Sequence, residues 1–427
     1  MRVTLAYGRN GLPVEIPEES TVLIPKQNPG LADEAAAVRD ALEEPIGSPP
    51  LRDIVSASDR VAIVFSDLTR PMPTARVLPH LLSELAHVPD KQILLINALG
   101  THRGNTPGEL DEILGPDVAR RYPILQHDAW DKENLVEVGT SSFGHLILIN
   151  RAYCEADIRI VTGLIEPHLF AGFSGGPKAV LPGIAGFDTI MQNHGYKMLA
   201  HPRATYGYNE GNPMWEEVRE AARMARPRFV LNVSVNRKRE ITGVFAGEME
   251  AAHAAGVQAV RESAMVPVGK LYDIVVTTNS GYPLDLNLYQ GGKGMRAALP
   301  VLKRGGAMIY VAECKDGIPD HGEYEQIVHR AGSAEGILDL LRQPGFQAHD
   351  QWQAQVHAGV LLHAAEVHVY SDYLSDEQLT GMLCVPCRSV ENTLETLMQR
   401  YGPEASVCVL PEGPQTIPYL TDGDRPS

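Results

Sequence analysis

The chain has 427 residues, of which 44% are hydrophobic and 21% charged, and its formal net charge is −16. Such a length asks for about two or three cores, and the composition excludes a disordered chain. The negative field opposes general attraction to nucleic acid or anionic membrane, while a local cluster of Arg and Lys still admits an anionic small substrate.

The N-terminus, MRVTLAYGRNGLPVEIPEES, lacks the apolar run of a signal peptide, and no later segment offers about 18 uncharged apolar residues. A cytoplasmic protein is expected. Cys154, Cys314, Cys384, Cys387 and Cys408 are few and odd in number, which argues against a disulfide framework.

The first clear element is VAIVFS, Val61 to Ser66, a β-branched and apolar run that predicts a strand. The loop DLTRPMP follows, then a helical pattern through TARVLPHLLSELAHV, then a second strand in QILLINALG. In TPGELDEIL, Thr106, Pro107 and Glu109 carry the signs of a capping-box helix start. HLILIN, IRIVTGLI and RFVLNVSVN predict further strands, the last turning near Asn236 into EITGVFAG, all expected in one mixed sheet. EMEAAHAAGVQAVRESAM is an alanine-rich helix, and VPVGKLYD reads as a connector with the domain boundary near residues 265–272.

DIVVTT restarts the alternation, followed by a helix through GMRAALPVL, strand AMIYVAE, helices to about Ala365, strand EVHVYS, another helix and SVCVLP. The fold class is therefore α/β in two domains: residues 1–268, and a smaller doubly wound, Rossmann-like parallel domain in residues 269–427. The active site is expected in the cleft between them.

Ligands of open α/β sheets sit beyond the carboxyl ends of the strands, so the loops after strands carry the chemistry. Asp67 and Arg70 follow the first strand in SDLTRP, and His102 follows the second in LGTHR. Glu166 and His168 follow IVTGLI, while Gln290 and Lys293 lie in YQGGKG, beyond DIVVTT and its loop. Either histidine alone is ordinarily a hydrogen-bonded loop residue. Two at strand ends suit proton transfer on the two faces of one substrate.

His194 in IMQNHGYKML reads either as the last turn of a helix, where a cation is favoured, or as a single metal ligand whose partners come from elsewhere. Lys178, after FSGGP, reads either as a solvated lysine beyond a glycine turn or as a desolvated nucleophile, because LFAGF and AVLPGIAG flank it. Gly175 and Gly176 resemble a phosphate-cradling loop, although Pro177 breaks the Walker A spacing. Arg70 and Lys293 form the candidate positive cluster, and either also suits a surface ion pair. Cys384 and Cys387 make a CxxC without a second pair and are assigned to packing. Trp352 in HDQWQAQ either packs on the core or lies against a flat ligand. No GxGxxG follows a predicted strand, which speaks against a dehydrogenase using free NAD.

Taken together, SDLTRP, ALGTHRG, GLIEPHLFAGFSGGPK, NHG and YQGGKG resemble the nickel-dependent lactate racemase family and its 2-hydroxyacid racemase and epimerase homologues. The resemblance runs from about Asp67 to Lys293, with a continuation to Trp352. It implies a nickel-pincer nucleotide, pyridinium-3,5-bisthiocarboxylic acid mononucleotide with nickel, attached covalently to Lys178 and completed by His194 as metal ligand. Asp67, Thr69, Gly175, Gly176, Tyr289 and Trp352 would surround this cofactor. His102 and His168 would be the acid/base pair, and Arg70, Lys293 and Gln290 would meet the substrate.

The implied reaction inverts C2 of a 2-hydroxyacid by reversible hydride transfer through a 2-oxoacid. Enzymes that build the cofactor are the implied partners, and an oligomer is compatible with the sequence. The rival enzyme reading is a metal-dependent hydrolase or lyase acting on an anionic small molecule. A non-enzymatic sensor or scaffold binding a nucleotide or carboxylate is the third.

Overall fold

The computed structural model describes residues 1–26, 28–319 and 322–421. The chain divides into two compact units, one of Met1–Lys26 with Ser263–Ser427 and the other of Gln27–Glu262. The expected cut after residue 268 thus differs from the division observed, because the first 26 residues join the C-terminal unit. They are joined to it by β1 (Thr21–Val22), too short to carry any periodic signal, by hydrogen bonds such as Tyr7 to Asp372, and by Leu5, Val14 and Ile16 in the apolar core.

In the Gln27–Glu262 unit the strands are β2 (Val61–Ser66), β3 (Ile93–Ala98), β4 (Ile124–Gln126), β5 (Ile158–Leu164), β6 (Phe229–Val235) and β7 (Ile241–Gly247). They form one mixed sheet in the order β7-β6-β5-β2-β3-β4, with only the β6–β7 pair antiparallel. Cover on both faces explains why β2 reads as a continuous apolar run instead of an alternating one. On one face Ile63, Phe65, Leu95, Ile160, Leu164, Leu231 and Val233 meet Val38, Leu42, Leu78 and Leu81 from the helices Glu34–Glu43 and Thr74–Glu84.

The strand period of two sends Gly163 and Asn232 to the opposite face, where the short turn Gly176–Ala179 and the helix Pro213–Ala225 pack. The capping box at Thr106 forms as expected, starting the helix Pro107–Leu114. HLILIN does not join this sheet: Leu146–Asn150 pairs with Leu135–Thr140 as a separate antiparallel hairpin. Apolar alternation fixes a strand's faces but not its partner.

The other unit contains β8 (Tyr272–Thr278), β9 (Leu302–Val311), β10 (Glu366–Tyr370), β11 (Val385–Cys387) and β12 (Val407–Leu410). With β1 they form a parallel sheet in the order β11-β10-β9-β8-β12-β1, whose direction of growth reverses at β8/β12 as a doubly wound sheet requires. VPVGKLYD is more than a connector, since Met265–Val268 pairs in parallel with Ile417–Leu420.

The helix of YQGGKG begins at Leu288, six residues before the expected GMRAALPVL stretch, with Asn287 as its cap. Glycine is poor in helices, but here backbone and side chains crowd it. A methyl on Gly294 would collide with the Thr278 carbonyl, one on Gly292 with the Gln353 amide, and one on Gly291 would lie 2.5 Å from the Tyr310 hydroxyl. No helix among the described residues is long and apolar enough to cross a membrane.

Candidate active site

The loops after β2, β3 and β5 bring together most of the residues singled out in the Gln27–Glu262 unit. Asp67, 5% exposed, lies at the end of β2 and accepts the Nδ1–H of His102 at 2.8 Å and the Thr69 hydroxyl at 2.8 Å. Burial alone would raise its pKa, yet the His102 hydrogen bond and charge, Thr69 and the Arg70 charge prevail and hold it below the ordinary carboxylate value. A carboxylate at Nδ1 fixes the His102 tautomer, so the neutral ring carries its lone pair on Nε2.

His168 is held the opposite way. Its Nδ1 accepts the backbone N–H groups of Phe170 and Ala171, each at 3.2 Å, so the neutral ring carries its proton on Nε2. The ring of Phe170 lies 6.2 Å from both His168 and His194, linking the two. Arg70 meets Glu166 at 3.5 Å, which gives that carboxylate a partner other than histidine.

Lys178 is 8% exposed, which excludes the solvated reading. Burial and then the Arg70 charge lower its pKa to about 7, so a substantial fraction is the neutral amine near neutrality. His194 caps the C-terminus of the helix Phe187–Asn193 as that spacing suggested, but it is not a cation there. Burial first, and the Lys178 charge second, lower its pKa to about 3 against the opposing pull of the Ile190 carbonyl. Its Nδ1–H donates to Ile190 O at 3.2 Å, placing the lone pair of the neutral ring on Nε2. A neutral imidazole with that tautomer is the form that binds metals. Among the described residues no group of three or more His, Cys, Asp or Glu is arranged to hold a metal ion.

The glycine turn commits one of its N–H groups to the protein. Gly175 and Gly176 have φ of +83° and +47°, but the Gly176 N–H donates to Asn232 Oδ1 at 3.0 Å. The glycines serve close approach instead, for a methyl on Gly176 would stand 2.8 Å from the His253 ring and one on Gly175 2.7 Å from Ile165. His253 donates its Nε2–H to Ser174 O at 3.0 Å and stacks on Trp215, with ring centroids 4.8 Å apart. Behind His194, the buried Glu217 accepts from Asn193 at 2.9 Å, Ser141 at 2.6 Å and His145 at 2.7 Å. Sequence reading passed over Asn232, His253 and Glu217. The available signal was polar residues within apolar strands and helices, such as the asparagine of FVLNVSV.

Tyr289, Gln290, Lys293 and Trp352 belong to the other unit. Trp352 Nε1–H donates to the Tyr289 hydroxyl at 3.0 Å, which donates to Asp350 at 2.9 Å, while Gln353 holds the Tyr289 carbonyl at 2.6 Å. Gln290 and Lys293 share the helix Leu288–Ala298 with Tyr289. The CxxC thiols are buried, with Cys384 raised to about 12 by that burial, in keeping with packing.

Residues 7–207 match the lactate racemase N-terminal domain and residues 269–417 the lactate racemase C-terminal domain. The chain is 37% identical to the lactate racemase of Lactiplantibacillus plantarum, over 89% of this chain and 90% of that protein. It is 34% identical to the lactate racemase of Thermoanaerobacterium thermosaccharolyticum, over 97% and 98% respectively. The solved structure of the latter's apoprotein superposes with a TM-score of 0.91 at 33% identity, covering 98% of this chain and all 100% of that one. A Thermotoga maritima protein shares the fold at a TM-score of 0.69 and 20% identity, over 93% of this chain and 100% of its own.

These relatives, which share the α/β fold over nearly the whole chain, make the protein an isomerase of the racemase class. The chain belongs to the lactate racemase family.

Proposed function

We propose that this chain racemises a small 2-hydroxyacid, with lactate the first candidate, using a nickel-pincer nucleotide anchored on Lys178. The observation that carries the reading is the burial of Lys178 beside His194, each 8% exposed and close enough for the lysine charge to lower the histidine's pKa, with the His194 Nδ1–H held by Ile190 O. The residues fit the group. An amine with a pKa of about 7 can be acylated near neutrality. His194 would give one imidazole, and a group that brings its own donor atoms suits a site where the described residues form no cluster of three or more His, Cys, Asp or Glu. When bound, that group supplies an acceptor and donor of hydride for C2 of the substrate, with a planar 2-oxoacid between the two transfers.

The chain's own residues manage the proton and the carboxylate. His102, oriented by Asp67, offers Nε2 as the base for a hydroxyl proton. His168 offers Nε2–H toward substrate, and for it to take a proton there, Nδ1 must release the two backbone N–H groups. Arg70 is assigned to the carboxylate, exchanging Glu166 for substrate. The roles of Gln290, Lys293, Tyr289 and Trp352 rest on the family resemblance. A cytoplasmic setting with enzymes that build the cofactor completes the proposal. The hydrolase or lyase reading lacks a protein ligand set among the described residues.

The test is racemisation of 2-deuterolactate in ordinary water. Retention of deuterium at C2 in both enantiomers is expected from hydride transfer, together with an intact mass increased by the adduct. Loss of the label to solvent, or activity from protein of unmodified mass, overturns the reading.

A further inference from the structure

Asn232 stands in the middle of β6, opposite Gly163 of β5, and is 0% exposed. Its strand neighbours Leu231 and Val233 point into the apolar core on the other face of the sheet. An amide in such a strand is poorly placed by propensity and costs desolvation, so a leucine or valine would ordinarily be preferred. Its Nδ2 group, moreover, is buried without a hydrogen-bond partner among the described residues. What it does supply is one acceptor: Oδ1 takes the Gly176 N–H at 3.0 Å.

That N–H belongs to the residue opening the turn Gly176–Ala179, which presents Lys178. Ser174 ties the entry of the turn to β5 and its loop, through its N–H to Glu166 O at 2.9 Å and its hydroxyl to Leu164 O at 2.8 Å, while the N–H groups of Val180 and Gly183 close its exit on Pro177 O and Lys178 O. Asn232 is what reaches Gly176, between the two, from the neighbouring strand. The sheet is shaped to receive the turn. A methyl on Gly163 would stand 3.2 Å from Asn232 Oδ1 and 3.3 Å from Gly175 Cα, so the missing side chain there lets the turn settle on the sheet.

We infer that Asn232 is a positioning residue for Lys178, its side-chain carbonyl pinning the Gly176 amide so that the turn holds the lysine against the sheet. The unpaired Nδ2 is then tolerated for the sake of the acceptor. The inference rests on the proposed anchoring of the cofactor at Lys178, and goes beyond it in naming what aims that lysine.

The experiment compares wild type, Asn232→Ala and Asn232→Asp, made in cells that build the cofactor. Aspartate keeps an acceptor for the Gly176 N–H, whereas alanine removes it. Two readouts are taken: the fraction of protein carrying the covalent adduct by intact mass, and hydrogen exchange of the segment 174–180 against that of β2 and β5. Expected for Asn232→Ala are an adduct fraction lower by about tenfold or more and faster exchange confined to 174–180, both restored toward wild type by Asn232→Asp. Wild-type loading and exchange in Asn232→Ala overturn the inference, as does an equal loss in Asn232→Asp with β2 and β5 still protected. Should the alanine protein fail to fold, fast exchange of the Gly176 amide in folded wild type overturns it as well. Absence of the adduct from wild type itself would instead refute the proposed function, and the exchange comparison would still decide the role of Asn232.

Discussion

Asp67 holds the Nδ1–H of His102 at 2.8 Å, and the same carboxylate takes the hydroxyl of Thr69. The imidazole is thereby oriented from behind, and the nitrogen left for chemistry is Nε2. Asp67→Asn can satisfy the ring in the wrong tautomer, by offering its amide N–H to Nδ1. The expected loss in kcat is about 10²–10⁴-fold with unchanged secondary structure. Steady-state kinetics in both directions check it, and a variant within twofold of wild type would separate Asp67 from the acid/base role.

The two histidines should differ spectroscopically. Nitrogen-15 chemical shifts of labelled histidine are expected to show His102 protonated on Nδ1 and His168 protonated on Nε2 in the neutral state. Identical tautomers would remove the asymmetry.

Lys178 makes stability depend on pH in a defined direction. Its folded pKa of about 7 lies below the ordinary 10.5, so between those values the unfolded chain holds a proton that the folded chain has released. Stability without the adduct therefore rises with pH across that window, and below it the cost of a buried charge is fully present. Lys178→Met is expected to be more stable than wild type at pH 6 by roughly 3–5 kcal/mol, the gap closing toward pH 10.5. Denaturant titrations at several pH values measure this, and a gap independent of pH would contradict the burial argument.

In the proposed reading Arg70 acts on substrate and lysine together. Its replacement by Ala is expected to raise KM by about 10–100-fold through loss of a charge-assisted pair with the carboxylate. Because the Arg70 charge is the second cause depressing Lys178, the amine should also titrate higher in that variant. A KM unchanged from wild type would assign the carboxylate to another group.

Gly294 tests packing in place of chemistry. Alanine there would drive a methyl into the Thr278 carbonyl, so Gly294→Ala is expected to lower stability by about 2 kcal/mol or more despite its better helix propensity. A thermal midpoint at or above wild type would show that the helix can shift outward.

Much of this site was legible because chemistry at strand ends leaves short, recognisable strings. SDLTRP, THR, EPH and GPK each fall directly after or near a run with strand character, and Asp67, His102 and Lys178 occupy the loops that such runs predict. Asn232 and His253 stayed hidden for a physical reason: each is polar through contact with a segment far away in sequence, and no local period encodes it. The CxxC, assigned to packing, is buried, whereas the helix-end histidine shows the opposite risk, a position that suggests a cation where burial keeps the ring neutral. Of the two amides expected in a cradle, the Gly176 N–H is engaged by Asn232, a partner no local pattern announces. The partner of HLILIN and the place of residues 1–26 were invisible because pairing between strands is set by tertiary packing.

The pairing of β1 with β12 has a consequence for biosynthesis. On the ribosome the opening residues emerge long before the strand they join, while everything needed for the Gln27–Glu262 unit is made in between. That inner unit is free to mature during translation, leaving the first strand waiting until the last one is released. The sheet is therefore completed from two distant parts of the gene, its edge strand from the beginning and its other five strands from the far end.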